Sequence, residues 1–187
     1  MHSHPPRIIL SLADAHDRDS IYAIRHDVYA RELGQHQPVA AGRLSDKLDE
    51  VAVYLVAKCG GEVAGFVAIT PPSEHGYSLD KYFSREDLPL VFDRGLYEVR
   101  LLTVAGAHRG ARLAMLLMYG ALRYVESCGA RTIAAIGRLE LLEMYKRAGL
   151  ESLGLQARCG EVTYELLAAN VGDRALEGCD EDRNCLL

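Results

Sequence analysis

Apolar residues in this chain change their spacing from every second position to every third or fourth and back, and the changes mark its elements. The stretch "RIILSL" (7–12) alternates weakly and reads as a first strand. The spacing then turns helical. Ile21, Ile24 and Val28 form one stripe, Asp17 or Asp19 is the expected cap, and Gly34 the stop, so a helix is predicted to run to about Leu33. Residues 35–50 read as a polar loop. "VAVYLVAK" (51–58) and "EVAGFVAIT" (62–70) flank Gly60-Gly61 and predict a β-hairpin. Pro71-Pro72 ends it, because proline cannot donate to a ladder. Residues 73–94 are irregular apart from one short helix expected at 80–86.

"GLYEVRLLTV" (95–104) is apolar and β-rich, the mark of a central strand. A helix over about 110–127 follows, with Leu113, Leu116, Leu117, Ala121, Tyr124 and Val125 on a wide apolar face and Gly129 as its stop. "RTIAAIG" (131–137) is a short buried strand, and "LELLEMYKRAG" (139–149) a helix that Gly149 closes. "LESLGLQAR" and "EVTYELLA" pair around Cys159-Gly160. The order β-α-β-β-β-α-β-α-β-β predicts an α/β chain of the α+β kind, a central mixed sheet of six to seven strands flanked by helices. The domain is expected to occupy 1–169. Residues 170–187, with five acids and little apolar pattern, read as a linker or disordered tail that would join a longer polypeptide.

With 187 residues and 49% hydrophobic content the chain can bury a full core. No apolar run approaches the roughly 18–20 residues of a membrane span, and the start shows no secretory pattern. Five cysteines form no C-x-x-C pair, and Cys59, Cys128 and Cys159 are scattered, as expected of reduced thiols in a cytoplasmic protein. The histidines (2, 4, 16, 26, 36, 75 and 108) lack metal-ligand spacing, so no metal is expected. No Gly-x-Ser-x-Gly or Walker pattern occurs.

Net charge is −5, which argues against a general nucleic-acid binder. Between Arg100 and Arg147, however, eight Lys or Arg face three acids. A local positive field on an acidic chain suits a small anionic ligand or an acidic carrier protein; ordinary solvated helix faces would give the same count.

The most informative stretch is "EVRLLTVAGAHRGARLAMLLM" (98–118). A strand feeding a helix leaves that helix's first N–H groups unpaired, and the helix dipole adds positive charge there. Gly110 and Ala111 leave room for a phosphate, and Arg109 and Arg112 add charge, so the turn can cradle a pyrophosphate; close packing alone would also favour such small residues.

Arg109-Gly110-Ala111-Arg112-Leu113-Ala114 resembles the acyl-CoA turn of the GNAT superfamily of N-acyltransferases, Arg/Gln-x-x-Gly-x-Gly/Ala after a central strand. Arg109 and Ala114 match, Gly110 fits the Arg-Gly pair common there, and Arg112 stands where glycine is usual. "LLEMYKRAGL" (141–150) is similar to the family's helix end, with Tyr145 and Gly149 in place. "IRHDVYARELG" (24–34) and "SDKLDE" (45–50) resemble the acyl-homoserine-lactone synthase branch, through Arg25, Tyr29, Asp46 and Asp49. The chain departs from that branch at Gln35, at Ala68, and in Glu98-Val99-Arg100, where the Glu–Arg spacing is one residue short.

The resemblance implies acyl transfer from acetyl-CoA, a longer acyl-CoA or an acyl carrier protein to the primary amine of a small amino acid-like acceptor. Backbone groups of Leu102, Thr103 and Val104 would hold the pantetheine and polarise the carbonyl. Glu98 would serve as base or amine anchor, or as a structural partner of Arg100 two residues on. Tyr145 would protonate the leaving sulfur; by spacing alone it is a core residue. Asp46 and Asp49 would bind the acceptor's ammonium or cap their own loop. Arg25 would bind its carboxylate or brace that loop, with Tyr29 and Arg100 beside them. Two other functions remain open: a lactone-forming synthase using S-adenosylmethionine, and a non-catalytic acyl-CoA-binding regulatory domain.

Overall fold

The apolar strand at the middle of the chain is also the middle of the sheet. The computed structural model describes residues 7–172; His2, His4 and the predicted tail from 173 onward lie outside them. The strands are β1 (Ile8–Leu12), β2 (Val53–Cys59), β3 (Glu62–Thr70), β4 (Leu96–Val104), β5 (Thr132–Arg138), β6 (Glu151–Cys159) and β7 (Val162–Asn170). They form one seven-stranded sheet in the order β1-β2-β3-β4-β5-β7-β6. Only β4 and β5 run parallel. The helix between them, α2 (Ala111–Ser127), is the crossover that a parallel pair requires. The element order matches the sequence expectation.

Each face of the sheet carries its own layer. On one face α2 and α3 (Leu142–Arg147) pack on Leu55, Val67, Ile69, Val99, Ile133 and Leu167. Leu117 of α2 is fully buried there, and truncating it to alanine is expected to cost about 2–5 kcal/mol. Gly120 lets α2 approach closely, since a Cβ there would lie 2.6 Å from Leu55. The opposite face is covered by α1 (Ala15–Arg25) over Tyr54, Val56 and Phe66, and by the segment after β3 over Leu96, Ala134 and Leu166.

Three local expectations change. The first helix is capped by Asp14, whose side chain accepts from Asp17 N–H while Asp17 answers from the third helical position. Asp14 takes the cap because its backbone is extended, the conformation a cap requires. From His26 to Glu32 the helix widens to π-helical turns, closed by Leu33 N–H on Val28 C=O at 2.9 Å. At 80–86 there are two 3₁₀ turns, Ser78–Lys81 and Arg85–Asp87, the first of them capped by Asp80 on Tyr77 N–H and by Glu98 on Ser78 N–H. Among the described residues no helix is long and apolar enough to cross a membrane.

Candidate active site

β4 and β5 pair only from Leu96–Val99 to Thr132–Ala135. Beyond that they part, and the gap between Arg100–Val104 and Ile136–Arg138 opens into a cavity of about 750 Å³. A bulge shapes the β4 side. Phe66 pairs with Thr103 and Ala68 with Arg100, so three steps on β4 answer two on β3. Leu101 takes up the extra residue in the left-handed region (φ 56°), a conformation that costs a non-glycine residue about 1–3 kcal/mol and clusters at functional sites. The bulge also puts Arg100 and Thr103, which normal alternation would separate, on the same face. Thr103 Oγ1 donates to Leu101 C=O at 2.8 Å, which leaves Tyr29 Oη to donate to Thr103 Oγ1 at 3.2 Å.

At one end the cavity meets the start of α2. Gly110 at the cap position makes no side-chain hydrogen bond to this helix, and the start of a helix is a place where an anion is stabilised. Gly110 precedes it in extended backbone, and a Cβ there would meet nothing within 4 Å. Arg109, Gly110 and Ala114 line the cavity, whereas Leu113 packs into the core and Arg112 does not contribute to the lining. Ala111 opens the helix. Arg109 is paired with Glu32 of the π-helical segment, both side chains half-exposed.

At the other end four predicted residues form one charged cluster. Arg25 donates to both Asp49 oxygens at 2.8 Å and to Asp46 Oδ2 at 3.0 Å. Arg100 holds both Asp46 oxygens at 2.9 Å. Tyr54, which sequence reasoning missed, donates to Asp49 and accepts from Arg25. The two aspartates also cap their own 3₁₀ turn, Asp46 accepting from Leu48 N–H and Asp49 from Asp46 N–H. Burial opposes the Asp46 charge, but the bonds and field of Arg100 and Arg25 outweigh it and hold the carboxyl down at about 2. Both carboxylates thus use about all of their acceptor sites. The expected ammonium contact on Asp46 and Asp49 therefore meets no open oxygen: the cluster is a braced wall of the cavity, in which Arg25, Asp46 and Arg100 face inward.

Glu98 does not face the cavity. It is fully buried, and its oxygens accept from Ser78 Oγ (2.6 Å), Ser78 N–H (2.8 Å) and Leu79 N–H (2.9 Å). The expected pairing with Arg100 is replaced, because Asp46 occupies that guanidinium. Burial pushes the Glu98 carboxyl up despite these bonds. Ser78 itself lines the cavity, so Glu98 reaches it one hydroxyl removed.

Tyr145 of α3 is buried on the face of the sheet that carries α2 and α3 and lines the cavity. Its ring lies against Gly137 of β5, where an added Cβ would be 2.4 Å from Cε2. Burial pushes the phenol up to about 12, so it stays protonated at neutral pH.

The remaining wall was not singled out from sequence. It includes Ser78, Lys81 and Tyr82 from the segment after β3, Arg138 from β5, and Tyr164 from β7. Arg138 could have been noticed as a charge ending an apolar strand next to the central one. Ser78, Lys81 and Tyr82 belong to an irregular stretch with no sequence signal, and Tyr164 lies on a predicted strand whose place beside β5 the sequence does not reveal. The π-helical turns carry Val28, Tyr29 and Glu32 to the cavity, and such turns recur at functional sites.

Residues 20–171 match the family model described as N-acyl amino acid synthase FeeM. No curated protein matches by sequence. Among solved structures, the acyl-homoserine-lactone synthase LasI aligns with TM-score 0.76 at 17% identity, over 89% of this chain and 91% of that one. The CoA-dependent acyl-homoserine lactone synthase BjaI, solved with SAM and isopentyl-CoA, aligns with TM-score 0.71 at 22% identity, over 89% and 83%. FeeM, an N-acyl amino acid synthase from uncultured soil microbes, aligns with TM-score 0.70 at 18% identity, over 90% and 93%. At these identities the likeness is one of fold.

Proposed function

Because the chain belongs to the N-acyl amino acid synthase FeeM family, and is an acyltransferase, we propose that it moves an acyl group from an acyl-CoA or acyl carrier protein thioester to the amino group of an amino acid. The observation that carries this reading is the cavity itself: one continuous space joins the uncapped start of α2, the β4–β5 gap and the Arg25–Asp46–Arg100 wall. Phosphates suit the start of a helix and the nearby Arg109. From Arg100 to Val104 the bulged strand answers three steps of β3, about 10 Å, a length along which an extended pantetheine arm can lie.

The thioester carbonyl lies at the bulge, where backbone groups left out of the ladder meet the developing oxyanion. One such donor is typically worth about a hundredfold or more in rate. The acceptor enters from the face that bears Arg100 and Thr103. Its ammonium, with a pKa of roughly 8–10, must lose a proton before attack. Ser78 Oγ is the cavity group that can pass that proton to Glu98, whose raised affinity for it makes the carboxylate a stronger base. Attack forms the C–N bond, and collapse of the intermediate breaks the C–S bond.

Tyr145 faces the departing sulfur as a hydrogen-bond donor. Full proton transfer from a phenol at about 12 to a thiolate whose thiol has a pKa of about 8.5 would be uphill by roughly 5 kcal/mol. A hydrogen bond to the developing thiolate has no such cost, and the thiolate takes its proton from water on release. The donors are made and used where thiols remain reduced, and Cys59, Cys128 and Cys159 are unpaired, which supports a cytoplasmic site of action.

The test is thiol release from CoA esters of graded length with a panel of amino acids, with mass spectrometry of the product. Lactone formation from S-adenosylmethionine is the second reading, favoured by the shared fold with BjaI and by the intact Arg25–Asp46–Asp49–Arg100 cluster. It would release methylthioadenosine and an acylated lactone, which the same mass spectra distinguish.

A further inference from the structure

An amino acid acceptor brings a carboxylate that the cavity must receive. Five cationic side chains line it: Arg25, Lys81, Arg100, Arg109 and Arg138. Arg25 and Arg100 use their terminal nitrogens on Asp46, Asp49 and Tyr54, and the Nε atoms they leave unpartnered are buried away from a ligand. Arg109 sits at the start of α2, on the donor's side. That leaves Lys81 and Arg138.

β5 decides between them. Gly137 packs against Tyr145 on the face of α2 and α3. The next residue of a strand points to the other face, so Arg138 lies on the acceptor's side. Its register confirms this: Arg138 pairs directly with Tyr164, and its neighbour Ile136 packs with Leu166 in the cluster on that face. Tyr145 and Arg138 therefore flank the β4–β5 gap from opposite faces, the leaving sulfur on one side and the entering amine on the other. An α-carboxylate lies two bonds from its own amine, so it must bind close to the gap. Arg138 meets that condition as the last residue of the strand that forms the gap. Lys81 stands on an exposed turn across the cavity.

We propose that Arg138 receives the α-carboxylate of the acceptor and so selects amino acids over simple amines, an assignment that rests on the N-acyl amino acid synthase reading. Its present partner is Glu140, at 3.3 Å and 60% exposed. An ion pair so exposed is weak and readily exchanged for a substrate carboxylate. A planar guanidinium matches a carboxylate with two parallel bonds, a fit that a lysine does not reproduce.

The experiment compares wild type, Arg138→Met, Arg138→Lys and Lys81→Met with decanoyl-CoA and, for each amino acid that is acylated, the matching amino acid amide. Wild type should prefer the acid. Arg138→Met should lower kcat/KM for the acid by about 10- to 100-fold, the range for a lost charge-assisted pair, and leave the amide unchanged. Arg138→Lys should fall between, and Lys81→Met should keep the preference for the acid. A second arm measures calorimetric binding of the N-decanoyl amino acid and of its amide to wild type and Arg138→Met, and needs no turnover. Acid binding weakened in Arg138→Met alone supports the assignment. Unchanged acid binding, or loss of the acid preference in Lys81→Met instead, overturns it. If wild type acylates no amino acid, the functional reading fails, and calorimetry with the N-decanoyl derivatives of the whole amino acid panel and their amides still decides the role of Arg138.

Discussion

Arg100 holds Asp46 with both arms of its guanidinium, each bond 2.9 Å long, across 54 positions of sequence. The pair fastens the loop before β2 to the bulged central strand, and Arg25 joins the same carboxylate from α1. Three elements that contribute to the cavity are thereby fixed to one another.

Asp46→Asn should lower stability more than it alters any single contact, because it leaves two mostly buried guanidinium groups underpaired. We expect a loss of about 2–4 kcal/mol, at or just below the range for breaking a buried pair, since Asp46 is partly exposed. The pH dependence has a fixed sign. The carboxyl is held at about 2 in the folded chain, below its ordinary 3.8. Its contribution is therefore present above about pH 4 and is lost as pH falls toward 2, roughly 2 kcal/mol in all. Urea unfolding of wild type and Asp46→Asn at pH 7 and pH 3 checks both points: the gap between the two should narrow at pH 3.

Tyr145 and Gly137 form a second coupled pair. Gly137→Ala would drive a Cβ to 2.4 Å from the ring and 2.8 Å from Leu167. It should cost about 1–3 kcal/mol by overpacking and reduce kcat by moving the phenol. Tyr145→Phe keeps the packing and removes only the donor. Its melting temperature should stay near wild type while kcat falls about tenfold or more, as for loss of one transition-state hydrogen bond. Steady-state kinetics beside thermal melts of the two variants separate position from chemistry.

Much of this architecture was legible because periodicity and turn residues reported it. The order of elements, the central place of 95–104, the hairpin at Gly60-Gly61 and the grouping of Arg25, Asp46, Asp49 and Arg100 all came from local pattern or motif. What was not legible depends on contacts far apart in sequence. Glu98 finds its donors 19 and 20 residues upstream, in a stretch without periodic pattern. The π-helical turns at 26–32 keep helical spacing closely enough to hide from a search for period 3.6. The parting of β4 and β5 leaves no trace in either strand's composition. The sequence points to Asp17 or Asp19 as the cap, and only the extended backbone at Asp14 assigns the role to Asp14 instead.

Glu98→Gln distinguishes a base from an anchor. Replacing one oxygen by an amide turns an acceptor toward a donor of the Ser78–Leu79 turn, so stability should drop by about 1–3 kcal/mol. If the carboxylate also draws the acceptor's proton through Ser78, turnover should fall more at pH 7 than at pH 9, where more of the amine is already neutral. Ser78→Ala should reproduce that pH pattern with less loss of stability. Equal losses at both pH values would assign Glu98 to holding the turn alone.

Gly110 offers a test of the coenzyme turn that the unliganded fold cannot confound. Its backbone is extended at φ 171°, a conformation open to any residue, and an added Cβ would meet nothing within 4 Å. Gly110→Ala should therefore leave the melting temperature near wild type. A phosphate seated at the start of α2 would come within van der Waals reach of position 110, so the same methyl should weaken binding of acyl-CoA. Arg109→Met should weaken it as well and flatten its dependence on salt, because a charged contact is lost. Glu32→Gln should do the reverse, since it releases Arg109 from its present partner. Calorimetric titration of the three variants with CoA at low and moderate salt reads all of these effects. Gly110→Ala binding CoA as wild type does would move the diphosphate away from this helix.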